Sequence, residues 1–339
     1  MVIKKMLKFY KTIIIILFLT MSNNLLAAEN LKFQSWLIDF SIEAKKNGIS
    51  EDTINNVLKK STFIEKVIEY DRYQPEFYED THTYVSKRSS KSKVKKGKKL
   101  YFSQKNIIDE IEKNYSVDKS LLLALMGIET NFGRYMGKMD IISSLATLSF
   151  DKRRSLFFQK ELLTLLNLID VKTVSPDILY GSWAGAFGNF QFMPSTIKNY
   201  AIDYDKNSFI DLKETEDSFA SAANYLNKIG WNNNTPCFYK VKLKKNIPNK
   251  YLNTSAKKIS EKKKLKYLKK YIVGNNLNNL DQNLIVAIIT PDKDIVSNAE
   301  NLNPAYLVFN NYEIILKWNR SLRFALAVCT LKDLFINEI

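Results

Sequence analysis

Histidine and cysteine are scarce. The 339 residues include one histidine, His82, and two cysteines, Cys237 and Cys329. A zinc-protease helix needs two histidines, and zinc fingers need four closely spaced Cys/His ligands. A Ser-His-Asp or Cys-His enzyme would have to rely on His82. Glycine is also sparse, at 10 residues, which excludes collagen-like or glycine-rich architecture. Acidic residues are outnumbered, 35 against 51 Lys+Arg, for a formal charge of +16. Carboxylates are nevertheless the best-supplied acid–base groups should the chain be an enzyme. With 45% hydrophobic and 25% charged residues the composition is globular. At ~150 residues per domain, the length suggests about two domains.

The N-terminus has the form of a secretory signal. Lys4, Lys5, Lys8 and Lys11 precede the apolar run Ile13 to Leu19, and Leu26-Ala27-Ala28 closes the segment with small residues. The uncharged stretch from Thr12 to Ala28 is shorter than the ~20 apolar residues of a spanning helix, although an uncleaved anchor is the alternative. No cysteine lies near the cleavage site, which argues against a lipid-modified terminus. Cleavage before Glu29 removes four lysines and leaves +12. The expected location is the bacterial periplasm, with no integral membrane segment in the mature chain. In that oxidising compartment Cys237 and Cys329 could pair, but the sequence leaves the pairing open.

Helical spacing of Phe33, Trp36, Leu37 and Phe40, then of Ile54, Val57 and Leu58, predicts a helical region near the start of the mature chain. Lys87 to Lys99 packs eight Lys/Arg into thirteen residues and reads as an exposed loop or linker. Tyr115 to Gly230 reads as helical, with loops at Gly133–Gly137, Pro176–Gly188 and Asp203–Glu214. Phe238 to Leu243 alternates like a half-exposed strand, and Leu284 to Ile289 reads as a buried one. Lys257 to Lys270 is lysine-dense and reads as a basic helix, and Ser321 to Ile336 is helical. The expected fold is mainly α. Its segments are a signal peptide (1–28), an N-terminal helical region (29–112), a core (113–235), a small β-containing region (236–309) and C-terminal helices completing the core (310–339).

Two segments carry candidate chemistry. Asp118 opens a helix whose Leu121, Leu122, Leu123, Ala124, Leu125, Met126 and Ile128 leave no polar face, so it is expected to be buried. Glu129 ends it. Desolvation and the negative end of the helix dipole both favour a neutral carboxyl there, as a general acid at neutral pH requires. A solvated glutamate at a frayed helix end is the bland alternative. The second segment, Gly181 to Ser195, alternates tiny residues with Trp183, Phe187, Phe190 and Phe192. Its glycines permit close backbone approach, and its rings offer flat apolar faces suited to sugars. The spacing fits neither a phosphate loop nor a dinucleotide fingerprint.

Several motifs occur in order. They are Glu129-Thr130-Asn131-Phe132-Gly133, Met136-Gly137-Lys138, Leu145-Ala146-Thr147-Leu148-Ser149-Phe150, Arg153-Arg154, the Gly/aromatic loop, Ala222-Ala223-Asn224-Tyr225-Leu226 and Gly230-Trp231. Together they resemble the lytic murein transglycosylase B family of peptidoglycan-cleaving enzymes. The resemblance is dense from Leu121 to Trp231 and looser at Asp71-Arg72-Tyr73-Gln74-Pro75-Glu76 and Trp318-Asn319-Arg320-Ser321. It implies a lysozyme-like core and non-hydrolytic cleavage between N-acetylmuramic acid and N-acetylglucosamine, leaving 1,6-anhydromuramoyl ends. It implies Glu129 as the single acid/base, assisted by the substrate's acetamido group. Ser182 and Asn319 would bond near Glu129, Gln191 and Tyr225 would line the sugar groove, and Arg153 and Arg154 would meet substrate carboxylates. Phe324 departs from the pattern, a tyrosine being usual there. The alternatives are a hydrolytic muramidase, for which Asp140 or Asp151 would be second carboxylates, and a non-catalytic wall-binding module.

Asp203 to Glu214 matches a twelve-residue calcium loop. Asp203, Asp205, Asn207, Asp211 and Glu214 supply side-chain oxygens, and Phe209 a carbonyl. Ser208 stands where the template has glycine. A structural Ca2+ is the cofactor expected, with no organic cofactor. The expected partner is peptidoglycan glycan, with wall-synthesis proteins as further candidates. The basic charge could also suit nucleic acid, but the signal segment and the lack of a nucleic-acid motif argue against it.

Overall fold

The structure, a computed structural model, describes residues 28–73, 79–274, 277–293 and 302–339. The signal segment before residue 28 and Gln74-Pro75-Glu76 lie outside the described residues. Along the chain the helices are α1 (28–46), α2 (Glu51–Asn56), α3 (Glu65–Arg72), α4 (Thr81–Arg88), α5 (Lys91–Ser103), α6 (Lys105–Tyr115), α7 (Lys119–Glu129), α8 (Ile141–Phe150), α9 (Ser155–Asp170), α10 (Pro194–Tyr200), α11 (Thr215–Lys228), the single turn α12 (Leu265–Leu268), α13 (Asn310–Trp318) and α14 (Leu322–Ile336). Between α11 and α13 lie the strands β1 (Phe238–Val241), β2 (Leu252–Asn253), β3 (Lys263–Lys264), β4 (Ile285–Ile289) and β5 (Ala305–Val308). The molecule is mainly α with a lysozyme-like core, as expected.

The chain divides into two compact units. The first comprises the described residues up to Asp71, Met139–Leu179 and Trp183–Gly185. Here α8 packs on α9. Asp140 caps α8, its carboxylate accepting the Ser143 N–H at 2.6 Å. The ring of Phe33 meets Trp36, Phe63 and Phe150 with centroids 5.6–5.7 Å apart, so the helical stripe read in α1 becomes an aromatic core.

The second unit comprises Arg72–Lys138, Tyr180–Ser182 and Ala186–Ile339. Its centre is α7 packed against α14 and α5. Both α7 and α14 are apolar nearly all round and buried, the pattern of a core helix. Ser321 caps α14 by accepting the Phe324 N–H at 3.2 Å. The loop or linker read at Lys87–Lys99 is instead the end of α4 and the first half of α5. Ser90 caps α5, and Val94, Gly97 and Tyr101 form a buried stripe at helical spacing while the lysines take the outer face. In the small sheet the strand order is β1-β5-β4-β2, with β3 paired to β4. Neighbours β1/β5 and β4/β5 run antiparallel, and β2/β4 run parallel. Val286, Ile288 and Leu307 pack with Leu265, Leu268 and Ile272 in a core of their own. Cys237, just before β1, is disulfide-bonded to Cys329 of α14, with Cα atoms 6.2 Å apart. The pairing that the sequence leaves open is therefore made, and it ties the sheet to α14.

Candidate active site

Glu129 is the last residue of α7 and is half-buried. Its helix stops because the next residues cannot continue it: Asn131 and Phe132 have φ of 52° and 62°, and Gly133 follows at 77°. Such angles are costly for residues with a Cβ, so packing must hold them. The Phe132 ring fills the space above Gly127 and Gly97; a Cβ on either glycine would come within 2.9 Å of a Phe132 ring carbon. Thr130, fully buried, donates its hydroxyl to the Asn189 carbonyl at 2.8 Å and accepts the Gly133 N–H at 3.0 Å. The turn after Glu129 is thereby fastened to the Gly/aromatic loop.

That loop is closed by its own bonds. Ser182 and Ala186 exchange two hydrogen bonds at 2.9 Å, the Ser182 hydroxyl accepting one of them from the Ala186 N–H. Phe187 and Phe192 pair antiparallel, also at 2.9 Å. Asn189 is buried and donates its amide to the Lys213 carbonyl (2.8 Å) and the Ser218 hydroxyl (3.1 Å). Gly188 must be glycine, since its φ is 76° and a Cβ would lie 2.5 Å from Leu212. The Gln191 amide nitrogen donates to the carbonyls of Met136 (3.2 Å) and Gly188 (3.0 Å).

An aromatic wall stands beside Glu129. The Trp318 indole N–H donates to Glu129 Oε1 at 3.0 Å. Trp318 stacks on Tyr225 with centroids 5.1 Å apart, and Tyr225 stacks on Tyr200 at 4.4 Å. Phe192 and Phe190 meet Trp318 edge-on at 5.4 and 6.3 Å. The Tyr225 hydroxyl donates to the Lys317 carbonyl at 3.3 Å, and burial pushes its pKa up. Asn319 directly follows Trp318 and ends α13, its N–H donating to the Ile315 carbonyl. Phe324 is buried in the first turn of α14. Sequence pattern gives no role to Trp318, Thr130 or Asn189. Their partners are long-range, and no local spacing marks them.

The first unit accounts for two other expected residues. Asp71 is 1% exposed and sits between Arg153 and Arg154. Arg153 Nη1 lies 2.9 Å from Asp71 Oδ2, and Arg154 Nη2 bonds Oδ1. Arg154 also lies over the Phe158 ring. Both arginines are thus engaged with a buried carboxylate while keeping part of each side chain in solvent. Asp140 is a helix cap, and Asp151 accepts the Arg153 N–H at 3.3 Å.

In the acidic loop, carboxylate oxygens of Asp203, Asp205 and Asp217 all lie within 4.8 Å of one another. Asp211 and Glu214 fall outside that group, and Asp217, three residues beyond the template, joins it. Asp203 accepts N–H groups of Asn207 (3.1 Å) and Ser208 (2.8 Å), and Asn207 accepts that of Phe209 (2.9 Å). Ser208 adopts the φ of 72° that the template reserves for glycine. Asp217 braces the loop by accepting the N–H groups of Tyr204 and Asp211 at 2.7 and 2.9 Å. Burial, then the neighbouring Asp205 and Asp203 charges, push its pKa up against those hydrogen bonds. An all-oxygen donor set under mutual repulsion fits a hard cation.

Residues 32–333 match the family model described as the transglycosylase SLT domain. The chain is 42% identical over 118 residues to membrane-bound lytic murein transglycosylase B of Escherichia coli (strain K12); that match spans 34% of this chain and 33% of that protein. SltB3 from Pseudomonas aeruginosa, in complex with NAG-NAM-pentapeptide, superposes with a TM-score of 0.78 at 31% identity, over 90% of this chain and 79% of its own. The Escherichia coli lytic transglycosylase Slt35, in complex with calcium, superposes with a TM-score of 0.71 at 24% identity, over 90% and 93%. The family match over nearly the whole described chain, together with SltB3, shows that this chain belongs to the transglycosylase SLT domain family.

Proposed function

We propose that the protein is a lytic transglycosylase that cleaves the β-1,4 bond between N-acetylmuramic acid and N-acetylglucosamine, with Glu129 as its single acid/base. The observation that carries this is one carboxyl group at the end of a buried helix, oriented by the Trp318 N–H and faced by a wall of stacked rings. Glu129 gives its proton to the glycosidic oxygen as the C1–O bond breaks. The muramoyl acetamido oxygen closes on C1 and holds the positive charge. The C6 hydroxyl then attacks C1, displaces the acetamido oxygen and returns its proton to Glu129, forming the 1,6-anhydro ring. A second carboxylate is unnecessary because the substrate supplies the nucleophile. Ser182 and Asn319 bond near Glu129 and the acetamido group, Gln191 and Tyr225 line the sugar groove, and the solvent-facing parts of Arg153 and Arg154 meet substrate carboxylates. Supporting this, SltB3 has also been captured with NAG-anhNAM-pentapeptide, an anhydro compound.

The test is mass spectrometry of muropeptides released from sacculi by the purified protein. Ends lighter by one water and lacking a reducing end are expected. Reducing ends would make the protein a muramidase, and binding without release would make it a wall-binding module.

The site of action is the periplasm, from the signal-like segment at 1–28; among the described residues no helix is long and apolar enough to cross a membrane. Asp203, Asp205, Asn207, Asp211, Glu214 and the Phe209 carbonyl would hold a Ca2+, whose charge would offset the repulsion among the loop's carboxylates. At about 100 Kd of calcium the folded state should gain about 2.7 kcal/mol. The melting temperature should rise by a few degrees on adding calcium and fall back with chelator, and Asp203→Ala should lose the response. A calcium response that is absent from the wild type, or that survives in Asp203→Ala, counts against the metal.

A further inference from the structure

A cavity of about 260 Å³ opens beside the C-terminal end of α13, lined by Lys257, Lys258, Lys317 and Arg320 together with Glu313. Buried Ile259 and Leu316 form its apolar wall. The charges do not balance. Glu313 is already held by Lys262, whose Nζ lies 2.9 and 3.0 Å from its two oxygens. Lys317 Nζ reaches only a neutral group, the Ile229 carbonyl at 3.2 Å. Lys257, Lys258 and Arg320 form no ion pair among the described residues. Four cations therefore face one cavity whose single carboxylate is already engaged by Lys262, an arrangement that attracts an anion.

We propose that this cavity is a subsite for the carboxylates of the peptide stem carried by the muramic acid. The proposal rests on the function proposed above and extends it. Chain connectivity sets its position: Lys317 and Arg320 flank Trp318-Asn319, and two residues of chain hold the Cα atoms of Trp318 and Arg320 within about 7 Å. Trp318 in turn bonds Glu129, and the Lys317 carbonyl accepts from Tyr225 in the aromatic wall. A pentapeptide reaches about 17 Å when extended, so a stem leaving a sugar at that wall spans to the cavity. The volume is below that of sites for drug-sized ligands and suits a carboxylate-bearing peptide end rather than another saccharide. Arg153 and Arg154, paired with Asp71, offer a substrate carboxylate only their solvent-facing parts, whereas no carboxylate holds the four cations here.

The experiment is a binding titration of the full wild-type chain with GlcNAc-MurNAc-pentapeptide and with GlcNAc-MurNAc. Neither contains the MurNAc–GlcNAc bond, so neither is turned over. The same titrations are run on K257Q/K258Q/R320Q, whose exposed side chains leave the core intact. The wild type should bind the peptide-bearing disaccharide at least about tenfold more tightly, the equivalent of about 1.4 kcal/mol. That ratio should approach one in the triple variant and shrink with added salt in the wild type. Equal wild-type affinity for the two probes, or a ratio unchanged in the triple variant, overturns the subsite and leaves the proposed cleavage standing. If neither probe binds the wild type, the proposed function falls with it.

Discussion

Glu129→Gln should cut release of soluble fragments from sacculi by about 10³–10⁴-fold, with the melting temperature unchanged. A positioned general acid or base contributes about 10²–10⁴-fold, and here one group performs both proton transfers, which places the loss at the upper end. Glutamine has the same shape, and its carbonyl still accepts the Trp318 N–H that now meets Oε1 at 3.0 Å. Folding and substrate binding should therefore survive, and only the proton is lost. Chromatography of released muropeptides, with a melting curve as control, makes the measurement. Release at the wild-type rate would remove Glu129 from the chemistry.

Trp318→Phe should lower kcat by about 10–100-fold. A hydrogen bond to a charged group is worth about 1.5–3 kcal/mol, and the indole N–H donates to one oxygen of Glu129. This donor fixes the carboxyl group in place for both proton transfers. Phenylalanine keeps a ring over Tyr225 and against Phe192, which indole now meets at 5.1 and 5.4 Å. The effect should therefore fall on kcat more than on KM. Trp318→Ala would also remove the packing, at about 3–5 kcal/mol of stability, and so could not separate the two roles. A kcat within twofold of wild type in Trp318→Phe would mean that the N–H does not position the acid.

Much of this site is legible locally. Seven apolar positions between Leu121 and Ile128 mark α7 as a core helix and put Glu129 at its end. Ser321 and the apolar run after it mark α14, and the apolar run at Leu284–Ile289 marks β4, both as the structure has them. What stayed hidden depends on residues far apart in the chain. Eight cations in Lys87–Lys99 mask the thin stripe of Val94, Gly97 and Tyr101, which is meaningful only because α7 lies beneath it. Arg153 and Arg154 read as a free pair, and the pattern does not show that Asp71, about eighty residues earlier, lies between them. Asp217 is outside the twelve-residue template and reaches the acidic loop from the first turns of α11. Trp318 lies 189 residues from the carboxylate it orients, and Cys237 lies 92 from its partner. Pattern reports which face of an element is buried; it does not report what the opposing surface supplies.

The account turns on where the muramoyl C1 finds its new oxygen. Digesting sacculi in water enriched in heavy oxygen and weighing the released muramoyl ends answers this directly. The predicted result is ends that carry no solvent oxygen, because the sugar's own C6 hydroxyl closes the ring. One heavy oxygen at each new end would show that water is the acceptor and would contradict the mechanism.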